Sequence, residues 1–69
     1  MENRIRGERA SKNMSQEALA VFLNVNPQTL SKWERNIEVC PIGKAIEMSK
    51  LFGCTVDYLA GISDTRRFS

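Results

Sequence analysis

Three long polar side chains lie about one helical turn apart near the middle of the chain. Gln28, Lys32 and Arg35 are separated by four and three residues, and this spacing places them on one face of a helix. They supply an amide, an ammonium and a guanidinium group, which donate hydrogen bonds and, in two of the three, carry positive charge. Such groups suit the base edges and phosphates of nucleic acids, provided that a folded element presents them to solvent.

The helix that carries these residues is predicted to run from about Pro27 to Arg35. Asn26 is a strong N-cap, and Pro27 stands at the first helical position, where a missing N–H costs little. Asn36 is predicted to end the helix in the left-handed conformation. The opposite face is apolar and is expected to pack on the rest of the domain; it comprises Leu30, Trp33 and Ile37.

A second short helix is predicted immediately before this one. Ser15 is a good N-cap, and Met14 and Leu19 stand at the positions of a hydrophobic staple around it. The apolar residues 19–23 can bury one side of the helix. Asn24 tolerates the left-handed backbone conformation that often closes a helix. Two short helices joined by a tight turn are typical of a helix-turn-helix unit.

The order of these residues resembles the Xre/Cro-like helix-turn-helix family of phage and bacterial regulators. The resemblance covers residues ~4 to 61 and therefore nearly the whole chain. The matching residues are Arg9, then Ser15-Gln16-Glu17-x-Leu19-Ala20, then Val25-x-x-Gln28-Thr29-Leu30-Ser31-Lys32-Trp33-Glu34-Arg35, and finally Ile42 and Phe52-Gly53-Cys54-Thr55-Val56-Asp57-Tyr58-Leu59.

The resemblance implies an all-α fold, a compact five-helix lambda-repressor-like domain over residues 1–61 with helices 2 and 3 as the helix-turn-helix. Residues 62–69 form a short tail. The sequence itself predicts helix 1 at about Asn3 to Lys12, a loop at 37–41 and helix 4 at about Ile42 to Phe52. Helix 5 begins after Thr55 and ends at Gly61. The core positions expected on helix 4 are Ile42, Ala45, Ile46, Ser49 and Phe52.

The second helix of such a motif enters the major groove of DNA, so its polar face is expected to contain the base contacts. A Gln amide can pair with adenine, and Lys can donate to guanine. Gln16 either helps to bind a phosphate, as the resemblance implies, or is a plain first-turn residue. Asn26 either only caps the helix or also touches DNA. The expected DNA contacts are Gln16, Asn26, Pro27, Gln28, Ser31, Lys32 and Arg35.

The resemblance also implies a structural ion pair between Arg9 and Glu34 that fixes helix 1 to helix 3.

Two departures from the family pattern weaken DNA contact. Pro27 stands where relatives often carry a long polar side chain, although its ring could touch a thymine methyl group. Glu38 lies in a loop where phage repressors often carry Lys or Arg, which predicts fewer phosphate contacts and a shallower salt dependence.

The composition agrees with one small globular domain and gives no sign of catalysis. The chain has 69 residues, 42% hydrophobic residues, a net charge of +2 and no His. No metal or cofactor is expected, because four closely spaced N or S ligands are lacking. Cys40 and Cys54 are interpreted as small buried hydrophobic residues, with a disulfide as the open alternative. Without an apolar leader or membrane segment, we expect a cytoplasmic protein.

These observations predict a sequence-specific regulator of transcription, most simply a repressor, that binds double-stranded DNA at a palindromic operator. A single module this small makes few contacts, so a homodimer is expected. Helix 5 and the tail, including Ile62 and Phe68, are the hypothetical dimer face. The alternative is an antitoxin or coactivator-like protein-interaction module on the same fold, which the weak net charge and Glu38 favour.

Overall fold

A computed structural model describes residues 3–64, and every regular element in that range is helical. The prediction of an all-α, five-helix domain is therefore confirmed. A short 3₁₀ helix, Ile37–Val39, lies between the third and fourth α-helices. The α-helices are α1 (Ile5–Ser11), α2 (Gln16–Leu23), α3 (Pro27–Arg35), α4 (Ile42–Phe52) and α5 (Val56–Leu59).

One hydrophobic core collects side chains from all five helices. Because each short helix contributes only one to four buried residues, no helix could bury its apolar surface without the others. Trp33, predicted to pack rather than to stack on nucleic acid, is only 5% exposed. The cluster comprises Ile5, Leu19, Ala20, Leu23, Leu30, Trp33, Met48, Phe52 and Leu59.

The predicted N-caps are confirmed, and they fix where the helices of the motif begin. The Ser15 hydroxyl accepts from the Ala18 N–H at 3.0 Å. The Asn26 side chain accepts from the Thr29 N–H at 2.8 Å, and the Thr55 hydroxyl accepts from the Tyr58 N–H at 3.0 Å. Each bond satisfies one of the backbone donors that a helix leaves unpaired at its start.

The ends of α2 and α4 also agree with the sequence. Asn24 and Gly53 both adopt the left-handed conformation, with φ of 59° and 69°. The α2 end has a further support that the sequence did not reveal. The Lys44 ammonium donates to the Leu23 carbonyl at 2.7 Å, where a cation also meets the negative end of the helix dipole.

The prediction of a loop at 37–41 is wrong over residues 37–39, and the prediction of a left-handed Asn36 is wrong. Asn36 is extended, with φ −152° and ψ 100°. Its side chain accepts from the Glu38 N–H at 3.1 Å and thereby starts the 3₁₀ helix Ile37–Val39. Asn36 is the N-cap of the following 3₁₀ helix, and an N-cap residue has an extended backbone. For this reason α3 ends without a left-handed residue.

The predicted core face of α4 is wrong in part. Ile42 and Ile46 are 67% and 40% exposed, whereas Met48 is fully buried. Ala45, Ser49 and Phe52 are buried as expected, and the Ser49 hydroxyl donates to the carbonyl of Ile46 at 2.8 Å. The buried stripe is thus rotated towards Met48, because the i, i+3, i+4 spacing fits two adjacent faces of this helix.

Helix α1 is shorter than predicted, and Arg4 lies at its N-cap position. The Arg4 guanidinium lies 4.2 Å from the centroid of the Tyr58 ring. It donates to the Tyr58 and Ser63 carbonyls at 2.7 and 2.9 Å and pairs with Asp64 at 3.0 Å. These contacts hold residues 58–64 against the start of α1.

The first residues of the predicted tail fold back onto α5. The backbone N–H groups of Ile62 and Ser63 donate to the Asp57 carbonyl at 2.9 and 3.2 Å. Ile62 itself is 71% exposed. Phe68, predicted to belong to the same dimer face, lies outside the described residues.

Cys40 and Cys54 are half-buried thiols that do not form a disulfide. Burial raises the pKa of the Cys40 thiol to about 11, so the group is protonated at neutral pH. Within residues 3–64 there is no cluster of three or more potential metal ligands. The helices in this range are all too short or too polar to cross a membrane.

Candidate nucleic-acid interface

Helix α3 has one buried face and one polar face. Leu30 and Trp33 are the only buried residues of the helix, and Ile37 continues their face as a half-buried residue packed on the core. Gln28, Lys32 and Arg35 are exposed. A helix held in this way presents an amide and two cationic groups to solvent along its length.

The start of α3 combines a cap with an exposed amide. Asn26 is exposed, and its Oδ1 is used in the bond from the Thr29 N–H. Its Nδ2 donors are not part of that bond and remain chemically able to meet an acceptor. Pro27, half-buried at the first helical position, contributes a ring and no N–H.

A cleft of about 550 Å³ separates α1 from the start of α2 and the second half of α3. Gln16 opens α2 at its rim, next to the backbone N–H groups that a helix start leaves free. Ser31, on the side of α3, and Arg35, at its end, face the same space. The lining residues are Asn3, Arg6, Arg9, Gln16, Ser31, Glu34 and Arg35.

An ion pair crosses the floor of this cleft. The Nε and Nη2 atoms of Arg9 donate to the two carboxylate oxygens of Glu34 at 3.0 and 3.4 Å. The Nη1 atom donates to the Met14 carbonyl at 3.0 Å. The side chains of Arg9 and Glu34 are 15% and 9% exposed. This bidentate pair joins α1 to α3 and neutralises Glu34, the one carboxylate among the described residues that line the cleft.

The structure shows where three basic side chains lie whose surroundings the sequence alone does not determine. Arg6 lines the cleft, whereas Arg4 is bound to residues 58–64. Lys44 is engaged with the Leu23 carbonyl and with Glu47 at 3.4 Å. Sequence analysis missed Arg6 and Asn3 as residues of this cleft, because their position depends on how α1 packs on α3. The one sequence signal for a role of Arg6 in this cleft is the cluster of arginines near the N-terminus.

The predicted site residues thus fall into two groups. One group lies along the outer face and start of α3 and comprises Asn26, Pro27, Gln28 and Lys32. The other lines the cleft beside it and comprises Gln16, Ser31 and Arg35. The two groups are continuous through α3, so a single elongated ligand could touch both.

Comparison with known sequences agrees with this geometry. A family described as helix-turn-helix matches residues 5–59, which is most of the chain and includes all five α-helices. The chain belongs to this helix-turn-helix family. No match was found among the curated proteins or among the solved structures.

Membership in the helix-turn-helix family confirms the resemblance that the sequence suggested. The family comprises DNA-binding regulators, so this chain is a DNA-binding helix-turn-helix domain. In the structure, α2 and α3 are the two helices of the motif, joined at Asn24 and capped again at Asn26. The polar face of α3 is therefore the surface on which specific contacts must be sought.

The Arg9–Glu34 pair yields a prediction for stability. Because both side chains are largely buried, Arg9→Ala or Glu34→Ala should each lower the free energy of unfolding by about 3 kcal/mol, since each leaves an unpaired charge. The double variant should lose less than the sum of the two. Urea denaturation measures these values, with Lys12→Ala as the exposed control. Additive losses would contradict a coupled pair.

Proposed function

We propose that this chain is a sequence-specific regulator, acting as a repressor, that reads the major groove of double-stranded DNA with α3. The observation that carries the proposal is the exposed face of Gln28, Lys32 and Arg35 opposite the buried Leu30 and Trp33. The major groove of B-DNA admits one α-helix. A bacterial or phage regulator meets its DNA target in the cytoplasm, and we propose that location for this chain.

In this proposal Gln28 and Lys32 read base edges. A Gln amide pairs with adenine N6 and N7, and an ammonium group donates to guanine O6 or N7. Pro27, which offers no hydrogen bond, meets an apolar feature such as a thymine methyl group. Asn26 and Ser31 supply short polar contacts at the edges of this surface. These contacts help to set the position of the protein along the DNA more than its choice of sequence.

The cleft beside α3 suits a phosphate of the DNA backbone. Arg6 and Arg35 bring positive charge to it, and Gln16 brings an amide at the start of α2. Neutralisation of Glu34 by Arg9 at 3.0 Å removes the repulsion that an unpaired carboxylate would exert on an anion. Helix starts and arginines are frequent phosphate ligands. We assign Gln16, Arg35 and Arg6 to this contact.

We further propose a two-fold homodimer on a palindromic operator. A groove of about 410 Å³ lies between the end of α3 and the C-terminal residues, lined by Arg35, Asn36, Ile37, Glu38, Ala60 and Ile62. Among the described residues, its lining combines apolar and polar side chains. In a two-fold contact each patch meets its own copy, so Ile37, Ala60 and Ile62 of one subunit can pack against the same residues of the other.

The size of the domain fits this arrangement. Its longest extent is 33 Å, and successive half-sites on one side of B-DNA are about 34 Å apart. Two domains whose long axes lie along the DNA would touch while each occupies its own major groove. Residues 1–61 form the DNA-binding domain in this proposal, and Ile62 begins the segment that completes the contact between copies.

The dimer face predicts a change in association. Ile62 is 71% exposed, so Ile62→Asp should leave the fold intact and shift sedimentation towards the monomer, because it places a charge in an apolar contact. The matched control is Val21→Asp on α2, where the side chain is 80% exposed and lies outside this groove. Equal association of wild type and Ile62→Asp at micromolar concentration would exclude this face.

A protein-interaction module, of the antitoxin or coactivator-like kind, is the second candidate. It is favoured by large apolar side chains that the fold leaves exposed, namely Val21, Phe22, Val39, Ile42 and Ile46. Exposed apolar surface of this kind often serves a protein partner. The two candidates differ in whether the chain discriminates between DNA sequences.

The first test is selection from a random pool of DNA duplexes with the purified protein. The selected and scrambled duplexes are then titrated at two salt concentrations. We expect a palindrome bound at least ~10³-fold more tightly than scrambled DNA, because specific contacts add to phosphate contacts. Failure to enrich any sequence, with binding lost at physiological salt, would contradict the proposal and favour the protein-interaction module.

Substitutions on α3 separate base contacts from phosphate contacts. Lys32→Ala should cost about 1–3 kcal/mol on the best site and relax the preference at one base position. Arg35→Ala should weaken all sequences about equally and reduce the salt slope by roughly one unit. Fluorescence anisotropy on specific and scrambled DNA measures both, with Lys50→Ala on α4 as the control. Equal losses on both DNAs for Lys32→Ala would disprove its role as a base contact.

A further inference from the structure

The carbonyl groups at the end of α3 have an unusual partner. The last four carbonyls of an α-helix have no intrahelical donor, and a left-handed residue after the helix normally brings backbone N–H groups back to them. Here Asn36 is extended. Its own N–H donates to the Lys32 carbonyl at 2.9 Å, and the Glu38 N–H donates to the Asn36 side chain.

Asn3 supplies hydrogen-bond donors to carbonyl groups at the end of α3, where no left-handed residue brings backbone N–H groups back. Its Nδ2 group donates to the Trp33 carbonyl at 2.9 Å and to the Glu34 carbonyl at 3.3 Å. The residues involved are about thirty positions apart in the sequence. One side-chain amide therefore closes the end of α3 across the interface between two helices.

The same side chain also begins α1. The Oδ1 atom of Asn3 accepts from the Ile5 N–H at 3.1 Å, while Arg4, at the N-cap position, makes no side-chain cap bond. Asn is suited to both tasks because its amide has an acceptor on one side and two donors on the other. Asn3 thus joins the first N–H of α1 to the last carbonyls of α3.

We propose that Asn3 is a positioning residue for α3 and that it sets the alignment of Gln28 and Lys32 in the major groove. Only two side chains of α3 are buried, so polar contacts at its ends add to what limits its roll and axial position. Arg9 and Glu34 fix one side chain to another. Asn3 instead binds the backbone of α3, and a backbone contact directly limits how the helix can shift. The DNA part of this inference rests on the proposed function.

Two substitutions separate this role from simple capping of α1. Asn3→Asp and Asn3→Ser both keep an oxygen that can accept from the Ile5 N–H, as good N-terminal residues do. Asp has no donor for the α3 carbonyls, and its carboxylate would face two carbonyl oxygens. Ser is shorter and has one hydroxyl donor in place of the two N–H donors of the amide. Asn3→Ala loses both functions and serves as the reference.

The DNA readout is the ratio of affinities for selected and scrambled duplexes, measured where circular dichroism shows full folding. We expect Asn3→Asp and Asn3→Ser each to lower this ratio by about tenfold, since a lost interhelical bond misaligns the base contacts. In a Lys32→Ala background the same substitutions should have a smaller effect, because part of their action passes through Lys32. Wild-type ratios in both variants, or strictly additive losses with Lys32→Ala, would overturn the proposal.

A second readout needs no DNA and therefore separates failure of this inference from failure of the proposed function. In the free protein, Asn3→Asp should shift the carbonyl ¹³C resonances of Trp33 and Glu34 and speed amide exchange at the end of α3. The ends of α2 and α4 serve as internal controls. Unchanged resonances and exchange would overturn the positioning role even if an operator is found. Changed values without any operator would reject only the DNA function.

Discussion

The polar link between α1 and α3 is the constraint on which the rest of this structure depends. A helix of nine residues with two buried side chains gains too little from packing to define its own orientation. The Arg9–Glu34 pair joins the two helices side chain to side chain, and Asn3 joins them side chain to backbone. Together these contacts add polar restraints to a helix that packs through Leu30 and Trp33, and a fixed geometry is what specific recognition requires.

The same link resolves an electrostatic conflict. Glu34 lines a cleft that also contains Arg6, Gln16 and Arg35, and an unpaired carboxylate there would repel a polyanion. Among the described residues of the lining, pairing with Arg9 leaves only neutral or positive side chains unpaired. Under the proposed function this cleft suits an anion even though the total net charge of the chain is only +2. Distribution of charge, rather than its sum, is the relevant quantity for a domain of this size.

Sequence analysis succeeded where the chemistry is local and failed where it depends on distant partners. Local features were predictable, because each depends on residues within one helical turn. They are the caps at Ser15, Asn26 and Thr55 and the bounds of α4. The roll of α4 was not, since two adjacent faces fit the same apolar spacing. The contacts of Asn3 and Arg4 were also hidden, because their partners lie more than 25 residues away in the sequence.

The two residues before α1 connect opposite ends of the proposed interface. Asn3 holds the end of α3, and its neighbour Arg4 holds the Tyr58 and Ser63 carbonyls and pairs with Asp64. Under the two-fold arrangement, the first contact governs how α3 enters the groove, and the second governs where Ile62 meets the other subunit. Because consecutive residues make both contacts, residues 58–64 and the end of α3 are held by the same short stretch of backbone. The spacing of half-sites and the alignment of base contacts would then be set by one short piece of backbone.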